Sequence, residues 1–182
     1  RGAEVRLVER DLAEPSTLAL SGGLFAAAGT RWQHDAGVED GPERFAADVR
    51  AFTGGTAHPG VLAPVAGAAG RAAAFLADVA GLPVHLHTGS LWPGHSVTRL
   101  HATPAESGAE LSDLLRRAVA RQPRIALEDS TELVGLEDRA ALLSQAGTRR
   151  RAAADAVVLA TGGFGGAPEL LARHAPRAAG AV

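Results

Sequence analysis

Residues Ala156-Val-Val-Leu-Ala160 form an unbroken apolar run that passes directly into Thr161-Gly-Gly-Phe-Gly-Gly166. This junction constrains the fold more than any other segment. A continuous apolar strand predicts cover on both faces, as in the sheets of α/β proteins. A glycine turn at its carboxyl end, with Pro168 in the first turn of a following helix, places backbone N–H groups where α/β folds bind ligands. A tight strand-to-helix turn with no ligand has the same outline. Gly163 and Gly165 do not begin a new dinucleotide fingerprint, because the third glycine position falls on Pro168.

The rest of the chain alternates strands and helices, an α/β layout. Glu4 to Glu9 predicts a short strand ending on an acid, and Asp11 to Gly23 a loop. Pro42 to Phe52 predicts a helix, with Ala, Phe and Val at helical spacing. Two further helices are expected in Pro59 to Ala80, then a strand at Val84 to Leu86. His87 to Pro104 is irregular. Ser107 caps a clear helix, with Glu110 as its capping-box partner and Leu111, Leu114, Leu115, Ala118 and Val119 on one face. Arg124 to Leu127, Thr131 to Leu136 and Ala140 to Gln145 read as strands, Asp138-Arg139 as a turn, and Arg149 to Arg151 as a charged turn.

Composition narrows the chemistry. The 182 residues include no Cys and no Lys, and all 18 basic residues are Arg. A thiolate nucleophile, a Cys-ligated zinc, an internal Schiff base and a phosphate-loop lysine are therefore excluded. The abundance of Ala and Arg reads as a GC-rich coding bias, so the missing Cys says little about redox compartment. A formal charge of -2 and a pI of about 6.4 give no basic footprint for nucleic acid. The alanine-rich stretch Val61 to Ala80 comes nearest to the ~20 apolar residues of a membrane span, but Pro64, Arg71 and Asp78 interrupt it. No membrane span and a cytoplasmic location are expected. The chain does not begin with Met and opens inside a strand, so a fragment of a longer protein is expected.

Four places carry candidate chemistry. Glu9 closes the first strand, where dinucleotide-binding folds place an acid that accepts from both vicinal ribose hydroxyls. A surface acid closing a strand looks the same. Thr17-Leu-Ala-Leu-Ser-Gly-Gly23 is a small-residue loop that lets backbone amides approach a pyrophosphate or a flavin edge, or is an ordinary connector. Ala160 to Gly166 is the third. The fourth is the histidine region. His85 and His87, two apart on a strand, would share a face and admit a metal reading, but no carboxylate follows at ligand spacing. Arg99 and His101 beside a Pro/Gly loop would contact an anion or lie in solvent. No Gly-x-Ser-x-Gly hydrolase elbow occurs.

Taken in order, Val-Arg-Leu-Val-Glu9, Leu20-Ser-Gly-Gly23 with a small-residue run to Gly29-Thr30, Arg99-Leu-His101, Gly108 with its helix, and Ala156 to Gly166 resemble the FAD-binding domain of the fumarate reductase/succinate dehydrogenase flavoprotein family, which includes 3-ketosteroid dehydrogenases. The resemblance spans nearly the whole chain. It implies a partial Rossmann-like FAD/NAD(P)-binding domain with a β-meander, lacking its first strand. About 1–40 and 98–182 would form the cofactor-binding core and about 41–97 a helical insertion, with a capping domain beyond this chain.

The resemblance also implies residue roles. Glu9 would bind the adenosine ribose of FAD. Thr17 and Leu18 would lie near the pyrophosphate. Ser21, Gly22 and Gly23 would approach the isoalloxazine, and Ala160, Thr161, Gly162 and Gly163 would line the cofactor from the other strand end. Thr131 to Val134 would lie near the adenine. The implied activity is hydride transfer between flavin N5 and an activated C=C/C–C bond of a dicarboxylate-like or ketosteroid substrate. A non-catalytic nucleotide-binding module or an inactive remnant is the alternative. Two departures matter. No Gly-x-Gly-x-x-Gly occurs, so the isolated chain is expected to bind FAD weakly or not at all. Pro15-Ser16 stands where the family has Gly-Gly, and Pro has no N–H to offer. Catalytic residues are not assigned here, since the family's lie in the capping domain, and no metal is expected.

Overall fold

The computed structural model describes residues 2–178, which divide into two compact units at Asp129/Ser130. In the first unit, strand β1 (Val5–Val8) pairs in parallel with β5 (Ile125–Glu128), Val5 opposite Ile125 and Val8 opposite Glu128. Between them come α1 (Thr17–Leu20), β2 (Phe25–Ala26), α2 (Arg31–Asp35), α3 (Pro42–Phe52), α4 (Pro59–Asp78), β3 (His85–Leu86), β4 (Leu100–Ala102) and α5 (Gly108–Ala120). The short strands form an antiparallel sheet in the order β2-β4-β3, with His101 opposite both Phe25 and Leu86.

Amphipathic spacing decides how the helices pack. Phe45 and Ala46 of α3 meet Leu62 and Ala66 of α4 over Ala28. The apolar face of α5, Leu111 and Ala118, packs with Leu82 and Val84 and covers Leu18, Phe25 and Trp32. The predicted α3 and α5 are present, the latter capped by Ser107 Oγ accepting from Glu110 N. Glu110 does not complete the capping box: its carboxylate accepts instead from Ala105 N at 2.8 Å.

Several local expectations are corrected. The loop Asp11 to Gly23 contains α1, because Ser16 Oγ caps it by accepting from Ala19 N. Pro59 to Ala80 is one helix, not two. Pro64 lies in its second turn and removes a single N–H, while Leu62, Ala66 and Ala73 bury the face that continues past it. By length and composition α4 is long and apolar enough to cross a membrane. The irregular stretch His87 to Pro104 contains β4, whose partners β2 and β3 come from distant sequence.

The second unit holds the antiparallel meander β6 (Thr131–Glu137), β7 (Ala140–Gln145) and β8 (Thr148–Ala153), followed by α6 (Pro168–His174). Here lies another correction. Arg149 to Arg151 belong to β8, and the turn is Ala146-Gly147, with φ of 48° and 80°. Positive φ at both central residues matches the twist of a two-residue hairpin. Ala156 to Ala160 also departs from expectation: it pairs with no strand among the described residues, and Val158 is 86% exposed. Its apolar side chains favour burial, but a strand exists only where a neighbour supplies ladder hydrogen bonds.

Buried charge organises the first unit. Arg99 is wholly buried; its Nε and Nη2 donate to the two oxygens of Asp40 at 2.9 and 2.8 Å, and its Nη1 to Asp48 at 2.6 Å. The fork geometry of a guanidinium suits two carboxylates. Phe45 lies under its charge at 4.9 Å. Burial pushes both carboxyl groups up, yet the opposing bonds win. Asp40 is lowered by Arg99 and Gln33, and Asp48 is lowered to about 2 by Ser96 and Arg99. The Arg99 carbonyl accepts from Ala27 N at 3.0 Å and from His101 Nδ1 at 3.0 Å. A carbonyl only accepts, so Nδ1 carries the proton of the neutral ring, and Nε2 takes the Thr30 hydroxyl at 2.9 Å. Both side chains are buried and engaged by the protein's own groups, Arg99 by two carboxylates, so neither lies in solvent nor reaches an anionic substrate or cofactor, which corrects both sequence readings of Arg99-Leu-His101.

Replacing Arg99 with Met leaves Asp40 buried without its counter-ion. Urea unfolding is expected to show a loss of about 3–5 kcal/mol. Burial lowers the His101 pKa, so the ring is neutral when folded. The unfolded chain then binds the extra proton, and stability present above the unfolded value of about 6.5 declines as pH falls. Asp48 adds a second decline between roughly pH 4 and 2. Unfolding midpoints across this range check both; a flat profile would overturn them.

Candidate functional site

The residues expected near a cofactor fall into two sets, one in each unit. Glu9 directly follows β1, and its N–H continues the ladder to the Glu128 carbonyl at 2.9 Å. The side chain is exposed, and Oε1 accepts from Arg10 N at 2.7 Å and Asp11 N at 3.3 Å. One oxygen therefore holds the turn. Thr17 and Leu18 open α1; Thr17 is exposed, and Leu18 packs beside the α5 core.

Ser21 and Gly22 are exposed, and Gly23 is buried. Ser21 Oγ donates to the Leu18 carbonyl at 2.7 Å and accepts from Gly23 N at 3.1 Å. One hydroxyl thus closes the end of α1 and shapes the next turn. Gly23 has φ of 71°, and a Cβ there would fall 2.3 Å from the Ser107 carbonyl carbon. Gly108 answers it: a Cβ would fall 1.9 Å from the Leu18 carbonyl oxygen and 2.6 Å from Ser21 Oγ. Gly108 N donates to the Ser21 carbonyl at 3.0 Å. The Ser21-Gly-Gly23 turn is therefore seated backbone on backbone against the start of α5. The sequence signal for Gly108 was a glycine in the first helical turn directly after a Ser cap, where helix propensity alone disfavours it.

Gly22 faces the other way, with nothing within 4 Å of its missing Cβ. Gly162 and Gly163 in the second unit are open in the same sense, and Gly162 has φ of 74°. Ala160 to Gly163 are exposed and lie outside any strand. Thr131 to Val134 fall in β6. Each open glycine face, taken by itself, fits a flat ligand approaching bare backbone.

The histidine pair shares a face, as its spacing predicts. His85 Nε2 and His87 Nδ1 both reach Glu106 Oε1, at 3.2 and 2.8 Å. Bonds from His87 and His85 hold the Glu106 carboxyl below its usual range. Among the described residues, no group of three or more His, Asp or Glu could hold a metal ion.

A family model described as FAD binding domain matches residues 1–182. Among solved structures, the open conformation of a flavocytochrome c3 fumarate reductase superposes with a TM-score of 0.85 at 27% identity, covering 98% of this chain and 32% of that one. A 3-ketosteroid-Δ4-(5α)-dehydrogenase from Rhodococcus jostii RHA1, solved with 4-androstene-3,17-dione, superposes at 0.74 with 20% identity, covering 95% and 44%. The second likeness speaks for the fold. The chain spans less than half the length of either. No curated protein sequence matches it.

The two glycine environments separate by substitution. Gly108→Ala drives a methyl into a backbone carbonyl that cannot swing aside, and a loss of about 1–3 kcal/mol or more is expected. Gly22→Ala projects into open space and is expected to stay within about 0.5 kcal/mol. Paired urea titrations measure the difference.

Proposed function

The chain belongs to the FAD binding domain family, and from that premise we propose that it holds FAD for an oxidoreductase acting on an activated C=C/C–C bond. The observation that carries this reading is the Ser21-Gly22-Gly23 turn: bare backbone at Gly22 facing open space, with the turn held from behind by Gly108. The family's cofactor is FAD, and the open glycine faces fit it.

In this reading the Glu9 oxygen not engaged by Arg10 and Asp11 accepts from the adenosine ribose hydroxyls. Thr17 and Leu18, in the first turn of α1, offer N–H groups toward the pyrophosphate; Pro15 offers none. Ser21, Gly22 and Gly23 present backbone to the isoalloxazine. Ala160, Thr161, Gly162 and Gly163 offer a second small-residue surface. Bound FAD supplies hydride transfer at N5. This chain's part is to orient that ring and exclude water on one side. A dicarboxylate-like enoate or a 3-ketosteroid is the proposed substrate. The names of the two solved relatives support the pair without choosing between them.

FAD titrated into the 182-residue chain is expected to show quenched flavin fluorescence that saturates, and Glu9→Ala to weaken it about tenfold, or 1.4 kcal/mol. Gel filtration is expected to strip the flavin, because the chain carries no Gly-x-Gly-x-x-Gly to grip the pyrophosphate. No saturable quenching at any FAD concentration would overturn FAD holding. A stoichiometric yellow protein from the column would overturn weak binding.

A further inference from the structure

Glu106 is a non-glycine residue with φ of 48°, a left-handed conformation that costs energy without compensation. Its surroundings supply that compensation. His85 and His87, side by side near β3, both hold its carboxylate. Its own N–H donates to the Thr103 carbonyl at 2.8 Å, closing the turn after β4. In the same turn the Thr103 hydroxyl is buried without a protein partner. A short segment that carries both costs is over-determined by its neighbours.

The two residues after Glu106 give the strain a purpose. Ser107 and Gly108 are the seat of the Ser21-Gly-Gly23 turn, with no room for even one methyl at Gly23 or Gly108. A contact that tight, between two backbones, transmits a small rotation at residue 106 directly to Ser21 and Gly23. Ser21 Oγ, the side-chain atom at this seat, is itself held by its bond to the Leu18 carbonyl.

We propose that Glu106, clamped by His85 and His87, is a positioning residue that sets the Ser21-Gly22-Gly23 turn for the flavin. This rests on the FAD reading and extends it to residues with no part in the family motif. The hydrogen bonds of Glu106 go to Thr103, His85 and His87, none of them in the turn. It acts through the backbone of Ser107 and Gly108.

The test uses amide hydrogen exchange on the 182-residue chain, which needs no bound FAD. Glu106→Ala removes the clamp and leaves a strained backbone. Exchange at the Gly23 and Gly108 amides is expected to rise at least tenfold, while the amides of α3 are unchanged. Glu106→Gln keeps an acceptor for both imidazoles and is expected to restore protection to within about twofold. Glu106→Gly removes the strain but not the need for a clamp, so it is expected to fall between them. Unchanged protection in Glu106→Ala, or faster exchange spread equally over α3, would overturn the inference. Should Glu106→Ala fail to fold, His87→Phe with intact Glu106 is expected to loosen the same two amides, because it removes the shorter half of the clamp. FAD titration of the same proteins is read separately: a parent chain with no saturable quenching strikes the FAD reading alone, whereas the exchange pattern decides the role of Glu106.

Discussion

A guanidinium with no exposure to water can exist in a folded protein only if its charge and donors are matched. Arg99 meets that condition with Asp40, Asp48 and His95, drawn from three different stretches of the first unit. The match imposes order on the connecting chain. Gln33, which caps α2 with its side-chain oxygen, spends its N–H groups on Asp40 and the Thr98 carbonyl. His101, fixed in one tautomer by the Arg99 carbonyl, reaches Thr30 and lies against Phe25 and Trp32. The β2-β4 pairing and the position of α3 thus depend on one another through buried polar atoms as well as through the core.

The consequence reaches the candidate site. Strand β2 begins two residues after Gly23, and β4 ends one residue before Thr103, where the turn to Glu106 and α5 starts. The sheet therefore anchors both sides of the place where the Ser21-Gly-Gly23 turn meets Ser107 and Gly108. Close backbone approach supplies rigidity there without filling the open face at Gly22. A cofactor-holding turn needs that combination: bare backbone in front and immobile backbone behind.

The range of the forces involved explains which parts of the fold and site were legible in the sequence. Local signals worked where local physics decides. Ser107 before an amphipathic run marked α5, and Pro42 with Phe45 and Ala46 marked α3. Ser-Gly-Gly and Thr-Gly-Gly marked turns because glycine clusters are favoured by backbone freedom alone. Signals failed where a partner distant in sequence decides. Arg99 and His101 lie in a segment rich in Pro, Gly and His that reads as solvated loop. Nothing local announces that Asp40 and Asp48, about fifty to sixty residues earlier, will neutralise the arginine. Arg149 to Arg151 read as a turn by charge, yet their stems suit a strand once Ala146-Gly147 supplies the reversal.

Residue order alone was enough for the family, the α/β class and the set of glycines, with one acid, proposed to face a flavin. Those depend on residue types in a fixed succession, and succession survives without coordinates. The role of each glycine needed the folded chain: Gly22 stands open, whereas Gly23 and Gly108 are filled by opposing backbone. So did the convergence of His85 and His87 on one carboxylate, and the lack of a strand partner for Ala156 to Ala160 among the described residues. Each outcome turns on which backbone arrives beside a given residue. That is set by long-range packing and hydrogen bonding, which no local pattern encodes.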